Sequence, residues 1–327
     1  MKRDVVVITG ASAGVGRAVA RELGRRGARV GLIARGIDGL EAAKREIEEL
    51  GGEAIVARAD VADPDAVEAA AKAVEDAFGP IDIWINNAMA SVFAPVRELT
   101  PDEIRRVTEV TYLGVVYGTM AALRRMLPRD HGVIVQVGSA LAYRGIPLQA
   151  AYCGAKHAIQ GFNDSLYSEL IHDRSNVRLT MVNLPAINTP QFDWVLSKLP
   201  RRAQPMGTVF QPEVAADAIV WAAYHERREL NVGLPTSEAI IGNNFLPGLG
   251  DYFLAKMGYD GQQTEEPEQP DRPHNLWEPL PGDHGAHGRF DARAKNSSLH
   301  LTMNLNRTPL LIAGACVLAG ILLARRL

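Results

Sequence analysis

Asp4-Val5-Val6-Val7-Ile8-Thr9-Gly10-Ala11-Ser12-Ala13-Gly14-Val15-Gly16 decides the fold of this chain. Four branched aliphatic residues in a row lack the 3.6 period of an amphipathic helix and read as a strand buried on both faces. A glycine-rich turn follows, and an amphipathic helix then runs to about Arg26. Glycines at 10, 14 and 16 allow a tight turn and let the backbone approach a pyrophosphate, which the helix N-terminus would stabilise. The spacing is not the common G-x-G-x-x-G. A glycine-rich turn alone could be a structural loop, so the nucleotide-binding reading rests on the strand before it and the helix after it.

The same N-terminus imitates a signal peptide, with Lys2 and Arg3 before the apolar run and Ala18-Val19-Ala20 resembling a cleavage site. The run is too short for that, and a buried strand explains the letters better. The 327 residues carry 35 Lys and Arg against 38 Asp and Glu, a net charge of −3, so no global basicity points to nucleic acid. Cys153 and Cys316 suggest neither a disulfide framework nor a zinc site, and a cytosol-facing catalytic domain is expected. His284 and His287 have ligand-like spacing but no accompanying cysteine, so no metal is expected.

Moving along the chain, apolar strands are expected at Arg29–Ala34, Ala54–Ala57, Ile81–Ile85, Val133–Val137 and Val177–Val182, with a short one near Leu230–Val232. Helices alternate with them: one ended by Gly51-Gly52, one starting at Asp63-Pro64, one capped by Thr100 and reaching about Leu127, then Ala150–His172 and Pro212–His225. Pro185–Gln211 reads as an irregular loop. The alternation means βαβ units and an α/β fold: a Rossmann-type doubly wound parallel sheet in a single domain over residues 1–235.

After residue 235 the character changes. Phe245–Tyr259 reads as a short helical segment, whereas Gln262–Ala294 is dense in Pro, Gly, Asp, Glu and His. Residues 236–305 are therefore expected to form a partly disordered extension or linker. Within 306–327, the stretch Thr308–Ala324 has no formal charge and would span about 25 Å as a helix. It reads as a membrane anchor or as a buried or dimer-packed terminal helix. The linker before it favours the anchor.

Two further stretches carry chemistry. The second strand ends Ile33-Ala34-Arg35-Gly36, with no acidic residue before Asp38. Arg35 suits a 2′-phosphate through its charge and forked donors, so NADP(H) is expected over NAD(H). In Tyr152-Cys153-Gly154-Ala155-Lys156 the i, i+4 spacing sets Lys156 beside Tyr152, where an ammonium would favour the phenolate. Tyr252-Phe253-Leu254-Ala255-Lys256 repeats the pattern past the last strand and is expected to pack rather than react. Cys153 is read as a helix-packing residue, and Phe192 and Trp194 as core or substrate contacts.

Taken together, Thr9–Gly16, Asp60-Val61, Asn86-Asn87-Ala88, Ser139, Tyr152-x-x-x-Lys156 and Pro185-x-x-x-Thr189 resemble a classical short-chain dehydrogenase/reductase over about residues 4–235. The resemblance implies that Tyr152 exchanges the proton of a carbonyl or alcohol, that Lys156 holds the nicotinamide ribose and lowers the Tyr152 pKa, and that Ser139 orients the substrate oxygen. It further implies cofactor contacts from Gly10, Ser12, Gly14, Val15, Gly16, Asp60, Val61, Asn87, Ala88, Ile187 and Thr189. Where the family usually has Asn on its fourth helix, this chain has Thr111, a shorter group for holding a relay water. Met89 stands where a glycine is usual. Both are expected to shape the pocket rather than abolish catalysis.

The expected function is thus an NADP(H)-dependent carbonyl reductase or alcohol dehydrogenase with a hydrophobic substrate, as a homo-oligomer or through a tail at the membrane. The alternatives are an inactive nucleotide-binding scaffold or sensor of the same fold, and an enzyme whose extension serves only assembly.

Overall fold

The structure is a computed structural model and describes residues 3–269 and 271–307. Its centre is a seven-stranded parallel sheet: β1 (Val5–Thr9), β2 (Arg29–Ala34), β3 (Glu53–Arg58), β4 (Ile83–Asn86), β5 (Val133–Ser139), β6 (Arg178–Leu184) and β7 (Glu229–Asn231). The spatial order is β3-β2-β1-β4-β5-β6-β7. β1, β4 and β5 are buried along their whole length, which is why they read as unbroken apolar runs. The helices α1 (Gly14–Arg25), α2 (Ile37–Glu49), α3 (Pro64–Phe78), α4 (Pro101–Thr108), α5 (Gly114–Met126), α6 (Ala150–His172) and α7 (Pro212–Tyr224) complete the crossovers. Two buried clusters, one on each face of the sheet, form the core.

Helix starts follow the local chemistry. Asp63 Oδ1 accepts from the Asp65 and Ala66 amides with Pro64 at the first turn, and Thr100 and Glu103 form a reciprocal capping box. The expected single helix from Thr100 to Leu127 is interrupted. Glu109–Leu113 is a π-turn between α4 and α5.

Strand order reverses between β1 and β4, and there the two strand ends nearly touch. A Cβ on Gly10 would lie 2.8 Å from Ala88 Cα, and one on Gly16 would lie 2.2 Å from the Gly10 carbonyl oxygen. Gly10 and Gly14 also have φ of 68° and 58°. Only glycine satisfies both demands at the turn. Thr9 Oγ1 accepts from the Asn87 and Ala88 amides, while Asn87 Nδ2 donates to the Thr9 and Gly10 carbonyls.

The structure corrects three expectations about the rest of the chain. Pro185–Gln211 is a lid braced by short pairings: Ala186–Ile187 with Val209–Phe210, Leu196–Ser197 with Val92–Phe93, and Arg201–Ala203 with Gln263–Pro267. Residues 262–294 are not a loose linker. Leu276 is fully buried in the core cluster that contains Val61 and Val110, and Phe290 packs edge-on against Phe192 at 5.6 Å. Arginines hold this segment to the lid: Arg272 donates to Val195 O, Arg289 to Ala203 O and Arg293 to Pro205 O. The expected short helical segment is two helices, Leu234–Phe245 and Pro247–Gly261. Thr308–Ala324 lies outside the described residues.

Close packing at the turn should show in stability. Gly16→Ala should cost about 1–3 kcal/mol, because its methyl meets rigid backbone. Gly161→Ala, on α6 with nothing within 4 Å of the added Cβ, should instead stabilise by about 0.5–1 kcal/mol. Urea unfolding of the two variants measures the contrast; equal midpoints would refute it.

Candidate active site

A cleft of about 570 Å³ opens at the carboxyl ends of the strands, centred on the β1–β4 reversal. Gly10, Ser12, Gly14 and Val15 line one end, Arg35, Asp60 and Val61 its flank, and Asn87, Ala88 and Met89 its floor. Ser139, Tyr152, Lys156, Ile187 and Thr189 line the other end. Two of the expected residues are not in the lining. Gly16 is consumed by its contact with Gly10, so it shapes the turn rather than the cavity. Thr111 is fully buried in the π-turn. Its hydroxyl donates to Ala90 O and accepts from Ala90 N, both at 2.9 Å. Thr111 instead pins the chain after β4 to the α4–α5 junction.

Ser139 ends β5, and its Oγ accepts from the Leu141 amide at 3.1 Å. Tyr152 and Lys156 sit one turn apart on α6, with Lys156 Nζ 5.6 Å from the Tyr152 ring centroid. The ammonium does not face the phenol oxygen as its main partner. It donates to Val137 O at 2.6 Å, and burial pushes its pKa down to about 8. Burial pushes the Tyr152 phenol upward, and the Ser139 hydroxyl is the group that pulls it back. The expected lowering of Tyr152 by Lys156 is therefore absent from this arrangement. Desolvation is the leading cause, and it favours the protonated phenol.

Arg35 is placed differently from expectation. Its guanidinium donates to Asn275 O at 2.5 Å, Trp277 O at 2.7 Å and Leu276 O at 3.4 Å. Burial and the neighbouring Arg106 lower its pKa. Arg106 itself donates to Leu276 O at 3.0 Å and to Asp60 Oδ2 at 2.5 Å, so Asp60 is ion-paired at the edge of the cleft. Asp38 Oδ2 accepts from Gly282 N at 2.7 Å, and Gly14 N donates to Gly285 O at 3.0 Å.

Sequence reading missed the groups that form this outer wall, among them Asn275, Pro279, Gly282 and His284. Their hold depends largely on main-chain carbonyls, which no side-chain motif encodes. Met206 and Phe253 were also missed at the mouth. His284 packs edge-on against Trp194, and His287 bonds Glu213 and Asp291; neither is part of a metal-type cluster among the described residues. Tyr252 is 82% exposed, so the tyrosine of the second Tyr-x-x-x-Lys copy neither lines the cleft nor packs, although Phe253 beside it does line the mouth. Cys153 is buried against Ile146 O.

A glycine turn at the strand reversal, with Ser, Tyr and Lys converging on the same cleft, defines a dinucleotide-dependent oxidoreductase. Similarity to known proteins places it further. A family model described as short chain dehydrogenase matches residues 4–198, and the chain belongs to the short-chain dehydrogenase/reductase family, whose members are oxidoreductases acting with NAD(P). The "uncharacterized oxidoreductase YxnA" of Bacillus subtilis is 31% identical over 98% of this chain and 89% of its own length. A metagenomic short-chain oxidoreductase solved in complex with NADP superposes with a TM-score of 0.59, at 29% identity over 70% of this chain and 96% of that one. A single-residue variant of the actinorhodin polyketide ketoreductase, solved with NADPH, gives 0.62, at 30% identity over 70% of this chain and 95% of that one.

Burial of Lys156 has a pH signature. Its pKa is about 8 when folded against 10.5 unperturbed, so between these values the unfolded chain binds more protons and stability rises with pH. Lys156→Met removes this term. Its urea midpoint relative to wild type should therefore be more favourable at pH 7 than at pH 9.5. A difference independent of pH would show that the lysine is not desolvated.

Proposed function

We propose that the protein is an NADP(H)-dependent carbonyl reductase or alcohol dehydrogenase acting on an apolar substrate. The observation that carries this reading is the convergence of Ser139, Tyr152 and Lys156 with the glycine turn in one cleft. The cradle fits a dinucleotide: the turn at Gly10–Gly14 brings bare backbone to the cleft, and Ser12, Val61, Asn87, Ala88, Ile187 and Thr189 line its length. When bound, the nicotinamide would supply the hydride. Tyr152 gives its phenolic proton to the substrate oxygen in the reducing direction and recovers one in the other. Ser139 donates to that oxygen and holds it in line, and Lys156 holds the ribose and steadies the charge left on Tyr152.

NADP(H) is favoured because the end of β2 carries Arg35, with Arg58 on the adjacent strand. Asp38, the first acidic residue after β2, is occupied by the Gly282 amide, and Asp60 is paired with Arg106. The NADP- and NADPH-bound structural neighbours support the same choice. The apolar substrate is supported by the lining, which includes Met89, Leu141, Ile146, Ala186, Met206 and Phe253. The catalytic unit is residues 1–235, with 236–305 completing the outer wall.

We further propose that Thr308–Ala324 anchors the protein at a membrane. Among the described residues no helix is long and apolar enough to cross one. Support comes from the two helices at the mouth, which expose Ile241, Phe245, Leu246, Leu249 and Phe253. The described chain ends near them, through contacts of His300 with Ser237 and of Asn304 with Asn231 O.

Purified protein should oxidise NADPH with a panel of hydrophobic ketones and aldehydes, and Tyr152→Phe should lose roughly 10²-fold or more of that rate while still binding NADPH. Equal rates would support the scaffold reading, which the committed hydroxyl of Thr111 keeps in play. Removing residues 308–327 should shift the protein from the membrane fraction to the supernatant on fractionation; no shift would leave a packed terminal helix instead.

A further inference from the structure

We propose that residues 275–285 form a strap over the dinucleotide groove, that Arg35 is the positioning residue that clamps it shut, and that its release gates cofactor exchange. This rests on the cofactor reading above. The strap crosses the adenosine-side wall of the cleft, and four independent contacts hold it there. Arg35 meets three consecutive carbonyls, those of Asn275, Leu276 and Trp277. Arg106 donates to the middle one. Asp38 accepts from Gly282 N, and Gly285 O takes the amide of Gly14 at the glycine turn. Arg17 adds an ion pair to Asp283 at 3.2 Å.

Beyond Leu276, which is buried in the core and anchors one end, the strap is weakly held in its own right. Residues 281–284 are exposed, Gly282 and Gly285 have φ of 91° and 63°, and the strap contains no helix or strand. It therefore depends on distant side chains to stay down, and hydrogen bonds from a charged guanidinium are the strongest of them. A dinucleotide lying between the glycine turn and Arg35 is enclosed by Pro279, Gly282 and His284, so it leaves only when the strap lifts. The solved neighbours match 70% of this chain, whereas the Bacillus relative's match covers 98% of it and extends through the strap.

This assignment gives Arg35 a role that does not require a 2′-phosphate, and NADH is the probe that separates the two. In Arg35→Ala, stopped-flow fluorescence should show NADH as well as NADPH leaving roughly tenfold faster or more. Hydrogen exchange at the 275–285 amides should rise in the same variant. A staple tests the opposite direction. A Cβ on Gly36 would lie 3.5 Å from Pro279 Cβ, within the reach of a disulfide. Gly36→Cys with Pro279→Cys, in a Cys316→Ser background, should slow release of both dinucleotides when oxidised and restore it on reduction. If NADH release is unchanged by Arg35→Ala and by the oxidised staple, the gate is wrong; a loss confined to NADPH makes Arg35 a phosphate reader instead. Failure of wild type to bind either dinucleotide overturns the proposed function and the gate together. That outcome differs visibly from failure of the gate alone, in which both bind and leave at one rate from every form.

Discussion

The close approach of two backbones at the β1–β4 reversal is the constraint on which the rest depends. Gly16 can have no Cβ because the Gly10 carbonyl is already there, and Gly10 can have none because Ala88 is. That contact brings the end of β4 against the start of α1 and opens the cleft between them. Thr9 and Asn87 then fix the two ends with hydrogen bonds that leave neither strand's last amides unpaired. Move one element by the width of a methyl group and the cradle, the floor and the flank no longer share a cavity.

Within this cleft Tyr152 and Lys156 are governed by burial more than by each other. Tyr152 rises and Lys156 falls, each towards its neutral form, because both are taken out of water without an opposite charge at contact distance. The main acceptor of Lys156 is a carbonyl of β5, and the local counterweight for Tyr152 is Ser139.

The C-terminal third is held by a different device. Arg35, Arg106, Arg272, Arg289 and Arg293 all donate to main-chain carbonyls. Such contacts tolerate almost any side chain on the receiving segment. They explain how a stretch rich in Pro, Gly and His, which could not build a core, nevertheless lies ordered against the lid and the cleft. Leu276 and Phe290 supply the few apolar plugs that such a segment needs.

By itself the sequence determined the sheet, its order of crossovers and the glycine turn, because those are written in side-chain periodicity and in glycine, which are local properties. It also put Gly10–Gly16, Asn86–Ala88 and Ser139 at strand ends, which in a parallel sheet gather on one side. What only the tertiary structure decided was where donors and acceptors distant in the chain would meet. Thr111 turned to Ala90, Arg35 reached across some 240 positions to three carbonyls, and residues 262–294 became a wall rather than a linker. The physical reason is common to all three: a backbone acceptor is present at every residue, so the sequence cannot mark which ones a side chain will choose.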